Sequence, residues 1–165
     1  MTANDMYDEL TQADIDKMNE ELEYRTLVLR PKILEEVKFT RSFGDLSENA
    51  EYHEAKRNKG RNDSRIRYLR NMIRTAKIIS DDSRPDEVGI NDKVTFRVIP
   101  TGAEMTVSIV TSFGHDSLNH VISKESPVGK AVMGHKVGDR IKVTVSPEIS
   151  YEAEITALIK GGALS

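Results

Sequence analysis

Cysteine and tryptophan are absent from this 165-residue chain, aromatic residues make up 5% of it, and only five prolines interrupt it. Zero cysteine excludes disulfides, thiolate zinc sites and a cysteine nucleophile, and it agrees with a reducing compartment. Scarce aromatics beside 31% charged residues argue against one large packed core and suit long solvated helices. No apolar run approaches the ~18 residues of a membrane span. The N-terminus, Met1 to Asp8, is polar and acidic, unlike a signal peptide. The expectation is a soluble, cytoplasmic monomer of one or two small domains. His53, His115, His120 and His135 show no metal-ligand spacing, and His53-Glu54 lacks the second histidine of an H-E-x-x-H zinc motif.

What is present falls into two patterns. Thr11 to Phe39 reads as a helix, with Thr11 or Asp14 as its cap and apolar residues at Ile15, Met18, Leu22, Leu29, Ile33 and Val37. Pro31 inside it predicts a kink near Leu27. A second helical phase runs through Tyr52, Ala55, Lys59, Asn62, Ile66, Leu69, Ile73 and Ala76, a heptad seam with two polar members in its middle. Each narrow stripe is buried only against the other, so the two predict an antiparallel coiled-coil hairpin. At 1.5 Å per residue, roughly 30 residues of helix carry the turn about 45 Å from the base. Reach is the reason for such a rod.

Ser80 to Gly89 has no periodicity and reads as a linker. Beyond it the period falls to two over Lys93–Ile99, Glu104–Val110, Arg140–Val145 and Tyr151–Ile159, with a shorter strand at His120–Ser123. Ser126 and Pro127 open a short helix to Met133 as N-cap and first residue. The predicted fold class is therefore α+β in two domains. A helical hairpin spans 1–79, and a small antiparallel sheet with one short helix spans 90–165.

The turn of the hairpin, 44–52, is the stretch the chain is organised around. Gly44 permits the reversal of direction. Asp45, Glu48 and Glu51 follow it. Asp45-x-x-Glu48 reads as a capping box for the second helix. The same pair also offers two hard oxygen donors for Mg²⁺, too few for a site of their own. In that case another molecule supplies the remaining ligands. Glu51 suits the positive end of the helix dipole. Lys56 to Lys77 then carries nine cations and one acid, a net +8, although the whole chain has net charge −3. That run is a solvated helix face paired in part with Glu20, Glu21, Glu23, Glu35 and Glu36, or its tip-proximal end, Lys56, Arg57 and Lys59, holds phosphates.

The ten residues Gly44 to His53, GDLSENAEYH, resemble the tip signature of the Gre-type transcript cleavage factors, the GreA branch most closely. Arg30-Pro31-Lys32-Ile33, Gly60, Arg65-Ile66 and Ser126-Pro127-Val128-Gly129-Lys130-Ala131 extend the similarity from about Leu10 to Ile159. The resemblance implies an FKBP-like second domain and bacterial RNA polymerase as partner. The hairpin is then expected in the polymerase's secondary channel. Asp45 and Glu48 are expected to share a catalytic Mg²⁺ with the polymerase's own acids, hydrolysing a backtracked nascent RNA 3′ end. Lys56, Arg57 and Lys59 are expected on the RNA, and Glu125, Ser126 and Pro127 on the polymerase rim. Two departures from the family pattern stand out: Arg57-Asn58-Lys59 where a more neutral or acidic stretch is usual, and Glu125 where Asp or Asn is expected. The alternatives are a channel-binding regulator that does not promote cleavage and a prolyl isomerase with a helical arm. For the isomerase the second domain offers only Phe96, Phe113 and Tyr151 as pocket aromatics.

Overall fold

The computed structural model describes residues 8–45 and 49–164. The chain divides into two compact units, one built on Gln12–Lys77 and the other on Glu9–Thr11 with Ile78–Ser165.

The first unit is a helical hairpin. Helix α1 (Gln12–Tyr24) passes through a π-helical turn (Arg25–Leu29) into α2 (Arg30–Arg41), and α3 (Ala50–Thr75) returns. The helix does continue through Pro31, and a π turn stands where the kink near Leu27 is expected. The physical reason lies in the proline. Pro31 has no N–H to give the Leu27 carbonyl, and its ring crowds that oxygen. Widening the preceding turn, so that Arg30 N–H reaches back to the Arg25 carbonyl, makes room without ending the helix. Cross-links fix the antiparallel direction: Glu21 bonds Arg65, Arg25 bonds Asn62, and Thr40 bonds Asn49.

The apolar stripes meet as the periodicity requires. Ile15, Met18 and Ile33 are buried on one side, and Ala55, Ile66, Leu69 and Met72 on the other. Polar Asn62 sits in the seam at 3% exposure and its amide is satisfied twice. Its Oδ1 accepts from Arg25 Nη1 at 3.0 Å, and its Nδ2 donates to the Arg25 carbonyl at 3.3 Å. A buried amide without those partners would cost about 1–3 kcal/mol.

In the second unit we number the strands β1 (Lys93–Val98), β2 (Glu104–Val110), β3 (Val121–Ser123), β4 (Arg140–Thr144) and β5 (Ser150–Ile159). Among the described residues they form one sheet in the order β3-β2-β1-β5-β4. The expectation of a wholly antiparallel sheet is corrected at one edge, where β3 pairs with β2 in parallel through Ser108–Val121 and Ile109–Ile122. The cause is the connection. Thr111 to His120 crosses over through two short 3₁₀ turns rather than a hairpin, so the chain re-enters in the same direction. Helix α4 (Pro127–Val132) covers a core of Val94, Phe96, Ile109, Val132, Val143 and Ile155.

Part of the segment expected as a linker is packed on this sheet. Val88 is fully buried in the core. Lys160 Nζ donates to Ser83 Oγ (2.8 Å), the Glu87 carbonyl (2.9 Å) and Asp92 Oδ2 (2.6 Å). Asp92 is 1% exposed, and it also accepts from the backbone N–H groups of Gly89 and Gly161. Those bonds replace the water the carboxylate has lost.

Candidate functional site

The turn of the hairpin is closed by one side chain. Asn49 Oδ1 accepts from Tyr52 N–H at 3.0 Å, capping α3, and Asn49 Nδ2 donates to the Thr40 carbonyl at 2.7 Å, closing the end of α2. One amide therefore satisfies an orphan group on each helix. This corrects the capping-box reading, because the N-cap is Asn49 and Asp45 lies outside the helix. Gly44 adopts φ 99°, the left-handed conformation the reversal needs, and Asp45 beyond it is exposed. Glu51 stands in the first turn of α3, as its charge favours. Glu48 lies outside the described residues. Among the described residues no group of three or more His, Asp or Glu side chains is placed to hold a metal ion. A single exposed carboxylate fits a hard cation only as one contributor to a shared site.

The basic run on α3 is less uniform than its sequence. Glu21, on α1, accepts from Arg25 Nε at 2.7 Å and from Arg65 Nε at 2.8 Å. The Arg65 guanidinium, with Arg25 beside it, pulls the Glu21 carboxyl from its ordinary 4.5 down to about 2 despite partial burial. Asp63 takes Lys59 (3.0 Å) and Arg30 (3.8 Å), and Glu54 takes Arg57 (2.6 Å) and Arg61 (3.9 Å). Two of the three residues expected on RNA, Arg57 and Lys59, thus have intrachain carboxylates. Lys56 instead lies 5.5 Å over the Tyr52 ring. Among the described residues Arg67, Arg70 and Arg74 have no carboxylate partner. Of the acids on the first helix expected to offset the run, only Glu21 pairs with it among the described residues.

The Glu21 pairing makes a pH prediction. The folded-state pKa lies below the unfolded one, so its contribution is complete above about 4.5 and is lost as pH falls toward about 2. Glu21→Gln is expected to lower hairpin stability at neutral pH by on the order of 1–2 kcal/mol, discounted for solvent at Arg65. The gap between variant and wild type should close between pH 4.5 and 2 in thermal melts followed by circular dichroism. A gap that stays constant over that window would remove the ion pair from the account.

In the second unit Ser126 Oγ accepts from Gly129 N–H at 3.1 Å, so the N-cap reading of Ser126 and of Pro127 as first helical residue holds. Glu125 is exposed just before them and pairs with Lys124 at 3.0 Å, and Lys124 also bonds Glu9. The three residues expected on the polymerase rim therefore form one edge of a cap-and-turn. Phe96 is fully buried in the core, so it lines no surface pocket for a proline peptide.

Two family models match the chain. One is "Transcription elongation factor, N-terminal" over residues 9–78, and the other is "Transcription elongation factor, GreA/GreB, C-term" over residues 82–160. Transcription elongation factor GreA of Geobacillus kaustophilus is 42% identical over 142 residues, covering 86% of this chain and 90% of that protein. The chain belongs to the GreA/GreB family. GreA of Bacillus subtilis is 43% identical over 127 residues, or 77% of this chain and 81% of the relative. A solved structure of GreA factor homolog 1 from Thermus thermophilus is 25% identical and covers 93% of this chain and 99% of its own, at TM-score 0.40. That superposition is too loose to carry an argument. Within this GreA/GreB chain one positioning residue escaped sequence reasoning, Asn49, whereas Glu21 is one of the five first-helix acids expected to pair with the basic run. Asn49, three residues before Tyr52, carried a capping signal that the neighbouring Asp45-x-x-Glu48 pattern masked.

Proposed function

We propose that this chain is a transcript cleavage factor: it binds bacterial RNA polymerase and stimulates the polymerase's own hydrolysis of backtracked RNA, rescuing arrested elongation complexes. The observation that carries the reading is the exposed Asp45 directly after Gly44 at the turn of a two-helix hairpin. A carboxylate held out in that way serves a site that another molecule completes. Asp45 and Glu48 are the residues that hold Mg²⁺, shared with the polymerase's acids and not stably bound by this chain alone. When bound there, the ion supplies the second metal of a two-metal phosphodiester hydrolysis. The hairpin's role is delivery. Its turn reaches into the polymerase's secondary channel while Glu125, Ser126 and Pro127 hold the rim.

The chain itself is not an enzyme in this reading, and it acts as a monomer. Lys56, Arg57 and Lys59 face the nascent RNA 3′ end, with Lys56 the readiest of the three because Arg57 and Lys59 must share their charge with Glu54 and Asp63. The decisive experiment adds the full chain to a stalled, backtracked elongation complex with Mg²⁺ and follows the RNA 3′ end. Shortening is the expected result. A factor that occupies the polymerase without shortening the RNA is instead a non-cleaving channel regulator.

A further inference from the structure

Two of the chain's four phenylalanines stand at the end of the hairpin rather than in a core. Phe39, in the last turn of α2, is 65% exposed, and Phe43, in the turn that follows, is 52% exposed. Their ring centroids are 4.9 Å apart at an interplanar angle of 75°, an edge-to-face pair. Phe43 is two residues before Asp45. The pair's footing is firm. Thr40 Oγ1 donates back to the Glu36 carbonyl at 2.8 Å, and the Thr40 carbonyl receives both Asn49 Nδ2 and Phe43 N–H. The same last turn carries Lys38 and Arg41, both exposed and without a carboxylate partner among the described residues. The shallow groove beside Phe39 is also lined by Glu36 of the same helix and by Glu51 and Glu54 of α3, the last of them already neutralised by Arg57 and Arg61.

Exposed aromatic faces are unfavourable in water, because their apolar surface stays hydrated. Among the described residues no packing in the hairpin explains two of them side by side. Aromatic faces interleaved with unpaired cations are the combination that holds single-stranded nucleic acid, because every base has a π-face and every nucleotide a phosphate. We infer that Phe39 and Phe43 form a stacking platform for an unpaired nucleobase of the RNA 3′ segment, with Lys38 and Arg41 toward its phosphates. The platform orients the segment against Asp45. This inference rests on the proposed function and deepens it by naming two positioning residues for the same site.

Stacking needs a π-face, whereas packing on a protein wall needs only apolar volume, and the experiment uses that difference. Full-length chains carrying Phe39→Leu with Phe43→Leu, and Phe39→Tyr with Phe43→Tyr, are compared with wild type for cleavage in backtracked complexes. A 4-thiouridine at the RNA 3′ end reports crosslinking, and competition for polymerase reports binding. Because both rings are exposed, the melting temperatures of the variants should match wild type. The expected result is loss of crosslinking and about tenfold or more weaker cleavage for the leucine pair at unchanged polymerase binding, with activity kept by the tyrosine pair. Full activity of the leucine pair overturns the inference. So does a parallel loss of polymerase binding, which would mean the rings meet protein. Wild-type cleavage in the same assay separates failure of the platform from failure of the proposed function, since absence of wild-type cleavage would sink both.

Discussion

Asp45→Asn is expected to leave the hairpin folded and polymerase binding intact while cutting stimulated cleavage on the order of 10²-fold. The structure sharpens this expectation. Had Asp45 capped α3, its loss would have cost helix stability as well, about 0.5–2 kcal/mol. The cap is Asn49, so Asp45→Asn should move the melting temperature little, while Asn49→Ala should lower it and affect cleavage only through the fold. Glu48→Gln is expected to match Asp45→Asn in activity. The measurement is RNA 3′ shortening at saturating factor and varied Mg²⁺, beside competition binding to polymerase. Wild-type cleavage by either acid variant would remove the shared-metal reading. Loss of binding along with cleavage would make the turn a docking element instead.

That distinction was not available from the sequence, and the reason is physical. Asp45 and Asn49 both precede the helix, and both carry the short oxygen-bearing side chain that caps. Which of them accepts the orphan N–H depends on where α3 begins, and boundaries are set by the closed geometry of the turn. The α3 seam, by contrast, was legible because helical period is a property of the chain itself. Ala55, Asn62, Ile66 and Leu69 are buried as the three-and-four spacing requires. At the base the periodicity chose Ala76, which caps the end of α3, and Met72 is buried instead. Which of the five first-helix acids pairs with the basic run was left open for a different reason. Glu21 and Arg65 are 44 positions apart, and only the register of the closed hairpin brings them to 2.8 Å. The short strand β3 was expected but its parallel direction was not, because three residues carry almost no period and direction is decided by the crossover before them. The two acids expected at the turn also differ in what the structure says of them, since it places Asp45 and does not describe Glu48.

Gly129→Ala is expected to be the most damaging small substitution in the second unit. A Cβ at that position would lie 2.2 Å from the Ser123 carbonyl oxygen and 2.8 Å from Lys124 Cα, both backbone atoms that cannot swing aside. Gly129 is buried, its N–H is held by Ser126 Oγ, and its carbonyl receives Met133 N–H at 3.1 Å. Helix α4 must therefore lift from the end of β3, or the Ser123–Lys124 backbone must retreat. Overpacking of this kind costs roughly 1–3 kcal/mol or more. Either movement displaces Glu125 and Ser126, so binding to polymerase should weaken by about tenfold or more along with stability. Gly60→Ala is the matched contrast. It lies inside α3 with nothing within 4 Å of an added Cβ, so it should stabilise the hairpin by roughly 0.5–1 kcal/mol. Thermal melts of the two full-length variants, read beside competition binding, check both signs. A Gly129→Ala chain that melts and binds like wild type would show that α4 and the β3 end have room to spare, and would detach the turn proposed to meet the polymerase from the packing that positions it here.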